Sequence, residues 1–162
     1  AAEKYLRKGS DSQCSSGGSG GNGGNTYGGC TGRETVNYNG KTVSDSRVKN
    51  KLQQIANFFC RDVRVTSGDR YNNGPSWHDR KRAADFAING FDANADDRKV
   101  WDAFRASTLF TDESWEVIWH GRFTETKGAH FHIGRRDPGQ GTCYKMEGTT
   151  RSNRGDYSWH PL

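Results

Sequence analysis

Apolar residues first recur with a helical period at Val48, Leu52, Ile55, Ala56 and Phe59, spaced i, i+4, i+7, i+8 and i+11. This spacing draws one apolar stripe and predicts an amphipathic helix that packs on a core, with Ser44 or Ser46 as its N-cap. The period then shortens to two. Val63 and Val65 alternate with Arg64 and Thr66, a short strand that ends in the turn Ser67-Gly68-Asp69-Arg70. Ala84, Phe86 and Ile88 can face the core while Asp85 points the other way. A second helix is expected over 94–107, with Val100, Trp101 and Phe104 on one side and Asp92, Asn94 or Asp96 as cap. Two more strands are expected over 115–119 and 129–133. In the latter, Phe131 and Ile133 share one face and His130 and His132 the opposite one. Helices mixed with antiparallel-type strands argue an α+β domain.

Composition adds boundaries to this pattern. A chain of 162 residues supports one domain with a sizeable core. The hydrophobic share is lean at 31%, but eight Phe, six Tyr and five Trp bury large areas and exclude a wholly disordered chain. Glycine is concentrated in SGGSGGNGGNTYGGC, residues 16–30, where no strand precedes and no G-K-[ST] follows, so a phosphate cradle is not expected. Residues 1–40 are therefore read as a Gly-rich N-terminal segment pinned by a disulfide, and 41–162 as the folded domain. The longest apolar stretches are a handful of residues, so no membrane span is expected.

Lys plus Arg number 24 against 19 Asp plus Glu, a net charge of +5 that favours anionic partners: nucleic acid, acidic lipid or anionic cell-wall polymer. The sign does not choose among them. Arg80, Lys81 and Arg82, with Arg135 and Arg136, make the clearest local excess, which a solvated surface also explains. Cys14, Cys30, Cys60 and Cys143 contain no C-x-x-C pair, which weakens a structural zinc or thioredoxin-like reading. An even count at wide spacing suggests two disulfides and an exported protein, secreted or periplasmic. Three connectivities are open; 14–30 with 60–143 is preferred, because the first pair brackets the flexible segment.

His78, Asp85 and His132 put metal-ligand types beside expected strands. Zinc accepts imidazole nitrogen and carboxylate oxygen, and a catalytic site takes three protein ligands and leaves the fourth place to water. The H-x6-D spacing alone is weak. The H-x-H on an alternating strand is stronger, since a period of two aims both rings into one cleft. On spacing alone, two other readings stay open: His130 and His132 as solvent-facing strand residues, and Asp85 as a turn residue or ion-pair partner of Arg82.

The stretch Ser76-Trp77-His78-Asp79-Arg80-Lys81-Arg82-Ala83-Ala84-Asp85 resembles the S-x-H-x-x-G-x-A-x-D motif of the zinc D-alanyl-D-alanine carboxypeptidases. Ala129-His130-Phe131-His132 is similar to the A-H-x-H strand of related murein endopeptidases and the hedgehog signalling domain. Ser67-Gly68-Asp69-Arg70 is similar to the S-G-x-R turn that precedes the first ligand in cell-wall members. The three motifs lie in the family's order within residues 65–134. The resemblance implies an antiparallel sheet with helices on one face and a zinc cleft on the other. It implies that His78, Asp85 and His132 bind Zn2+, that His130 stands near the metal-bound water, and that Arg70 holds a substrate carbonyl or carboxylate. Glu125 is the preferred general base, with Glu116 as alternative, and His120 is a rival third ligand. The family's Gly in the first motif is Lys81 here, so its turn is not assumed, because Gly adopts positive φ freely and Lys does so at a cost.

The function expected is a zinc peptidase cutting peptidoglycan peptides, a monomer, and a lytic enzyme or antibacterial effector. The alternatives are a metal-dependent nuclease toxin, for which the charge and clustered His are also suitable, and a zinc-containing wall- or protein-binding module without hydrolysis. Asp92-Ala93-Asn94-Ala95-Asp96-Asp97 opens like a calcium loop, but Asp97 replaces its Gly and Ala103 its final Glu, so helix capping is the better account. Trp101 is expected in the core, Trp77 beside substrate, and His160 exposed and without a role.

Overall fold

The computed structural model describes residues 30–93, 98–126 and 128–159. Its first helix, α1 (Ser46–Phe59), buries Val48, Leu52, Ile55, Ala56 and Phe59, the stripe that the period of the chain predicts. Its N-cap is Asp45, not Ser44 or Ser46. The Asp45 carboxylate accepts from the backbone N–H groups of Arg47 and Val48 at 2.8 and 3.1 Å and binds the Arg135 guanidinium at 2.7 and 2.9 Å. A serine hydroxyl could not offer that second, ionic contact. Ser44 is occupied elsewhere, by the Asp69 carboxylate. The helix stops at Cys60 in the left-handed conformation, φ 54° and ψ 40°.

The strands are β1 (Val36–Asn37), β2 (Val63–Ser67), β3 (Ala83–Ile88), β4 (Trp115–His120), β5 (His130–Arg135), β6 (Cys143–Glu147) and β7 (Ser158–Trp159), with α2 (Arg98–Ala106) between β3 and β4. Residues 94–97, where the expected second helix begins and two of its cap candidates lie, fall outside the described residues. The sheet order is β1-β2-β3-β5-β4-β6-β7. It is mixed, where an antiparallel sheet was expected: β1 runs parallel to β2, and β4 to β6. The second parallel pair has a visible cause. After β5 returns antiparallel to β4, residues 136–142 pass the start of β4 and deliver β6 to its other edge. Arg136 N–H to Ser114 O, Gly141 N–H to Ser114 Oγ and Trp115 N–H to Thr142 Oγ1 hold this crossing, at 2.9, 2.8 and 3.1 Å. The class is α+β.

Strand alternation sorts the whole sheet into two faces. Ala84, Phe86 and Ile88, Trp115, Val117 and Trp119, Phe131 and Ile133, and Tyr144 and Met146 join the α1 stripe and Val100, Trp101 and Phe104 of α2 in one core cluster. Phe104 sits at its middle, its ring edge-on to Phe59, Phe110 and Phe131 at 5.4–5.6 Å. The opposite face carries Asp85, Glu116, His120, His130, His132, Lys145 and Glu147, all buried. No strand was expected at β6, whose alternate positions Lys145 and Glu147 are buried rather than solvent-facing. Trp101 is a core residue, as expected, and so are Trp115 and Trp119.

Cys30 pairs with Cys60, with Cα atoms 4.4 Å apart, which overturns the expected 14–30 and 60–143 pairs. The chain after Cys30 does not simply loop away; it turns back along the end of α1. Val63 N–H donates to Thr35 O at 3.0 Å, Thr35 N–H to Asp62 Oδ1 at 2.9 Å, and β1 forms the sheet edge on β2. Cys143 is also disulfide-bonded, and Cys14 lies outside the described residues. Among the described residues no helix is long and apolar enough to cross a membrane.

Truncating the ring at the centre of the cluster, Phe104→Ala, should cost about 3–5 kcal/mol of unfolding free energy, measured as a shift of the urea midpoint at unchanged slope.

Candidate metal centre

β3 and β5 place Asp85 directly opposite His132, both on the polar face. His78 arrives from the loop between β2 and β3. There Lys81 N–H donates to His78 O and Arg82 N–H to Trp77 O, at 3.0 and 2.8 Å. Lys81 adopts φ 59°, the left-handed region that favours glycine, and bears the steric cost of that turn. The loop also needs two glycines. A Cβ on Gly134 would lie 2.9–3.0 Å from the Trp77 side chain, so its absence lets Trp77 lie on β5 beside the ligands. A Cβ on Gly68 would meet Thr42 O at 2.1 Å, and this close approach directs the Gly68 carbonyl to His78.

Three donor atoms converge. His78 Nε2 is 3.0 Å from Asp85 Oδ1, His132 Nδ1 is 2.8 Å from the same oxygen, and the two nitrogens are 3.2 Å apart. The outer nitrogens are committed. His78 Nδ1 lies 2.8 Å from Gly68 O, which can only accept, so it carries the hydrogen. His132 Nε2 lies 2.9 Å from Glu116 Oε1, and Glu116 Oε2 is ion-paired to Lys145 Nζ at 2.7 Å, with Glu116 and Lys145 fully buried. Tautomers assigned from these partners leave both inner nitrogens with lone pairs aimed at a carboxylate oxygen. Three acceptors pointed at one place repel unless a cation stands between them.

Zinc fits this set. Ligand atoms on a tetrahedral ion with bonds of about 2.0–2.2 Å stand roughly 3.3–3.5 Å apart, within a few tenths of an ångström of the longer contacts here. The donors are the imidazoles and carboxylate of a three-ligand site, and each imidazole has the outer hydrogen-bond partner such ligands use. Without a cation, a proton takes its place. Burial opposes charge on His132, yet hydrogen bonds to Asp85 and Glu116 outweigh it and raise the imidazole to about 9. Burial would also raise the two carboxyls, but His78 and His130 hold Asp85 well below the usual range, and Lys145 with His132 holds Glu116 at about 2. Since the His132 value lies above the unfolded 6.5, its stabilising contribution is complete below about 6.5 and is lost as pH rises through about 9.

The ligands form part of the wall of a cleft of about 650 Å³, also lined by Arg70, Ser76, Trp77, Glu125, His130 and Tyr157. His130 Nε2 is 3.5 Å from Asp85 Oδ2, and Arg70 Nη2 is 3.9 Å from the same oxygen. Glu125 stands on the loop between β4 and β5, exposed to the cleft. Glu116, the alternative general base, is behind His132 and does not line the cleft. His120, the rival third ligand, is not in the three-atom cluster; its Nδ1 is 2.8 Å from Glu147 Oε1, and its ring stacks on His130 at 4.4 Å. Arg82 pairs with Asp137 at 2.9 Å, so it is not the ion-pair partner of Asp85. Sequence reasoning missed Lys145 and Glu147 altogether. Residues 94–97 of the calcium-like opening and His160 lie outside the described residues. Comparison with known proteins returns no match: no family model, no curated protein and no solved structure matches the chain.

A metal ion taken up by the three donors must displace the His132 proton. Its affinity, measured by chelator competition, should therefore climb about tenfold per pH unit up to pH 9 and level off above it. Removing the outer partner by Glu116→Gln together with Lys145→Met, so that no buried charge is stranded, should weaken zinc binding about 10–100-fold in the same assay.

Proposed function

We propose that this chain is a zinc-dependent peptidase that hydrolyses peptide bonds of bacterial cell-wall peptidoglycan, as a carboxypeptidase or endopeptidase. One observation carries the reading: the convergent His78, Asp85 and His132 line an open cleft that Glu125, His130 and Arg70 line as well. The resemblance of the segments around His78, His132 and Arg70 to the zinc D-alanyl-D-alanine carboxypeptidase and hedgehog-type superfamily supports the same assignment, including its fold.

Zinc held by the three side chains would supply Lewis acidity to a peptide carbonyl and make water acidic enough to lose a proton near neutral pH. The chain's own residues supply the rest. Glu125 takes the proton from the attacking water and returns it to the leaving amine. Arg70 donates hydrogen bonds to the carbonyl oxygen as it gains negative charge, commonly the largest contribution to the rate; His130, whose Nδ1 hydrogen goes to Gly128 O at 2.8 Å, donates from Nε2 only as the imidazolium. Trp77 shapes the cleft wall beside the first ligand. A planar guanidinium also suits a substrate carboxylate, so Arg70 can hold a peptide terminus in the carboxypeptidase variant of the reading. The Cys30–Cys60 disulfide and the charge of +5 suit secretion to an oxidising compartment and retention on an anionic wall.

Mass spectrometry of muropeptides after incubation with the zinc-loaded protein tests this directly. New amino groups should appear at one bond type. His132→Ala should lose both zinc and cleavage, and Glu125→Gln should slow cleavage about 10²–10⁴-fold while zinc affinity stays within a few-fold. Cleavage of DNA or RNA with an intact wall would replace the reading with a nuclease, and wall binding without any cleavage would replace it with a binding module.

A further inference from the structure

Glu147, at the end of β6, is the most heavily used side chain of the polar face outside the ligand set. Its side chain is 1% exposed, and Oε1 accepts from His120 Nδ1 at 2.8 Å. The same oxygen accepts the Thr124 hydroxyl. Oε2 accepts the backbone N–H of Gly155 at 2.7 Å and that of Glu125 at 3.3 Å. One carboxylate thereby ties together three parts of the cleft wall. They are the loop that carries Glu125, the turn that leads through Gly155 to Tyr157, and His120, on which His130 stacks. A carboxylate is the one side chain suited to this place, since all four partners are donors and two acceptor oxygens offer about four lone-pair directions.

We infer that Glu147 is a positioning residue: it holds the Glu125 loop and the His120–His130 stack against the zinc cleft without touching the metal ligands. This rests on the peptidase reading above. The ligands stand on strands whose ladders fix them, whereas Glu125 stands on a loop. There Thr124 N–H to Gly121 O at 3.0 Å and Phe123 N–H to Gly148 O at 2.7 Å supply the backbone contacts up to residue 124. At Glu125 itself the backbone N–H goes to Glu147. A misplacement of about 1 Å at a reacting group is enough to lose about 100-fold in rate.

Glu147→Gln keeps the shape and presents an amide –NH2 to at least one pair of donors. In the zinc-loaded full chain it should lower kcat about 10–100-fold, change KM less than threefold and leave zinc affinity within threefold. In a Glu125→Gln background the same change should cost clearly less than in the parent, because one of the two groups it positions is already gone. Thr124→Ala, which removes one contact and threatens folding less, should lower kcat about threefold to tenfold. Unchanged kcat in both single variants, or a full multiplicative loss in the Glu125→Gln background, would overturn the inference. Nitrogen NMR of His120 and amide exchange at Glu125 and Gly155 need no turnover. An Nδ1-protonated ring and protected amides in the parent, lost in Glu147→Gln, uphold the positioning even if no peptide is cleaved, and identical spectra in both chains reject it.

Discussion

Two hydrogen bonds on the far sides of two imidazole rings govern the polar half of this molecule. By engaging His78 Nδ1 with a backbone carbonyl and His132 Nε2 with a carboxylate, they leave both inner nitrogens as acceptors beside a third acceptor, Asp85 Oδ1. Such a cluster is unfavourable in water and worse in a buried site, where charge is less screened. It persists because a cation, proton or metal, is part of its stable form. The protonated His132 of the metal-free chain and the proposed zinc are thus two answers to one electrostatic demand, and the pH at which one yields to the other follows from the outer partners.

Those partners explain the rest of the face. Glu116 can orient His132 only if it is charged and buried, and a lone buried carboxylate is costly. Lys145, brought beside it because β6 runs along β4, supplies the countercharge. The parallel β4–β6 pairing, unexpected from the pattern of the chain, is therefore what completes the support of His132, a proposed metal ligand. The core face opposite is conventional: aromatic rings and branched side chains packed on two helices, whose burial stabilises the sheet that carries the ligands. A sheet clamped by apolar contacts on one side can hold a dense set of charges on the other.

Much of this was legible in the chain, and the limits have physical causes. The alternation around His130 and His132, and around Asp85, placed the ligands on one face because a period of two is a purely local property. The spacing of Val48 to Phe59 located α1 for the same reason. Partners chosen by tertiary approach were not legible. Asp45 outcompetes two serines as cap through Arg135, ninety positions away. Cys60 pairs with Cys30 because β1 folds back along the end of α1. Glu116 looked like a possible base because only the register of β4 on β5 shows it on the buried side of His132, and Lys145 and Glu147 were missed because nothing local marks a buried charge.

The arrangement also separates what must be rigid from what must reach substrate. Ligand geometry tolerates errors of only a few tenths of an ångström, and two of the three ligands sit on central, fully laddered strands, while His78 is fixed by a left-handed turn at Lys81 and a carbonyl at Gly68. A group that exchanges protons with a substrate needs solvent access, which a central strand denies it. Glu125, the proposed general base, has that access on its exposed loop and loses the ladder's precision in exchange. A loop position regains definition only through contacts to something already fixed. In this fold the nearest fixed acceptor is the carboxylate at the end of β6, where the ladder on β4 pairs Glu147 with His120. Loop and floor are therefore joined through strand register, so a shift of β6 by one residue would disturb both the support of His132 and the placement of Glu125.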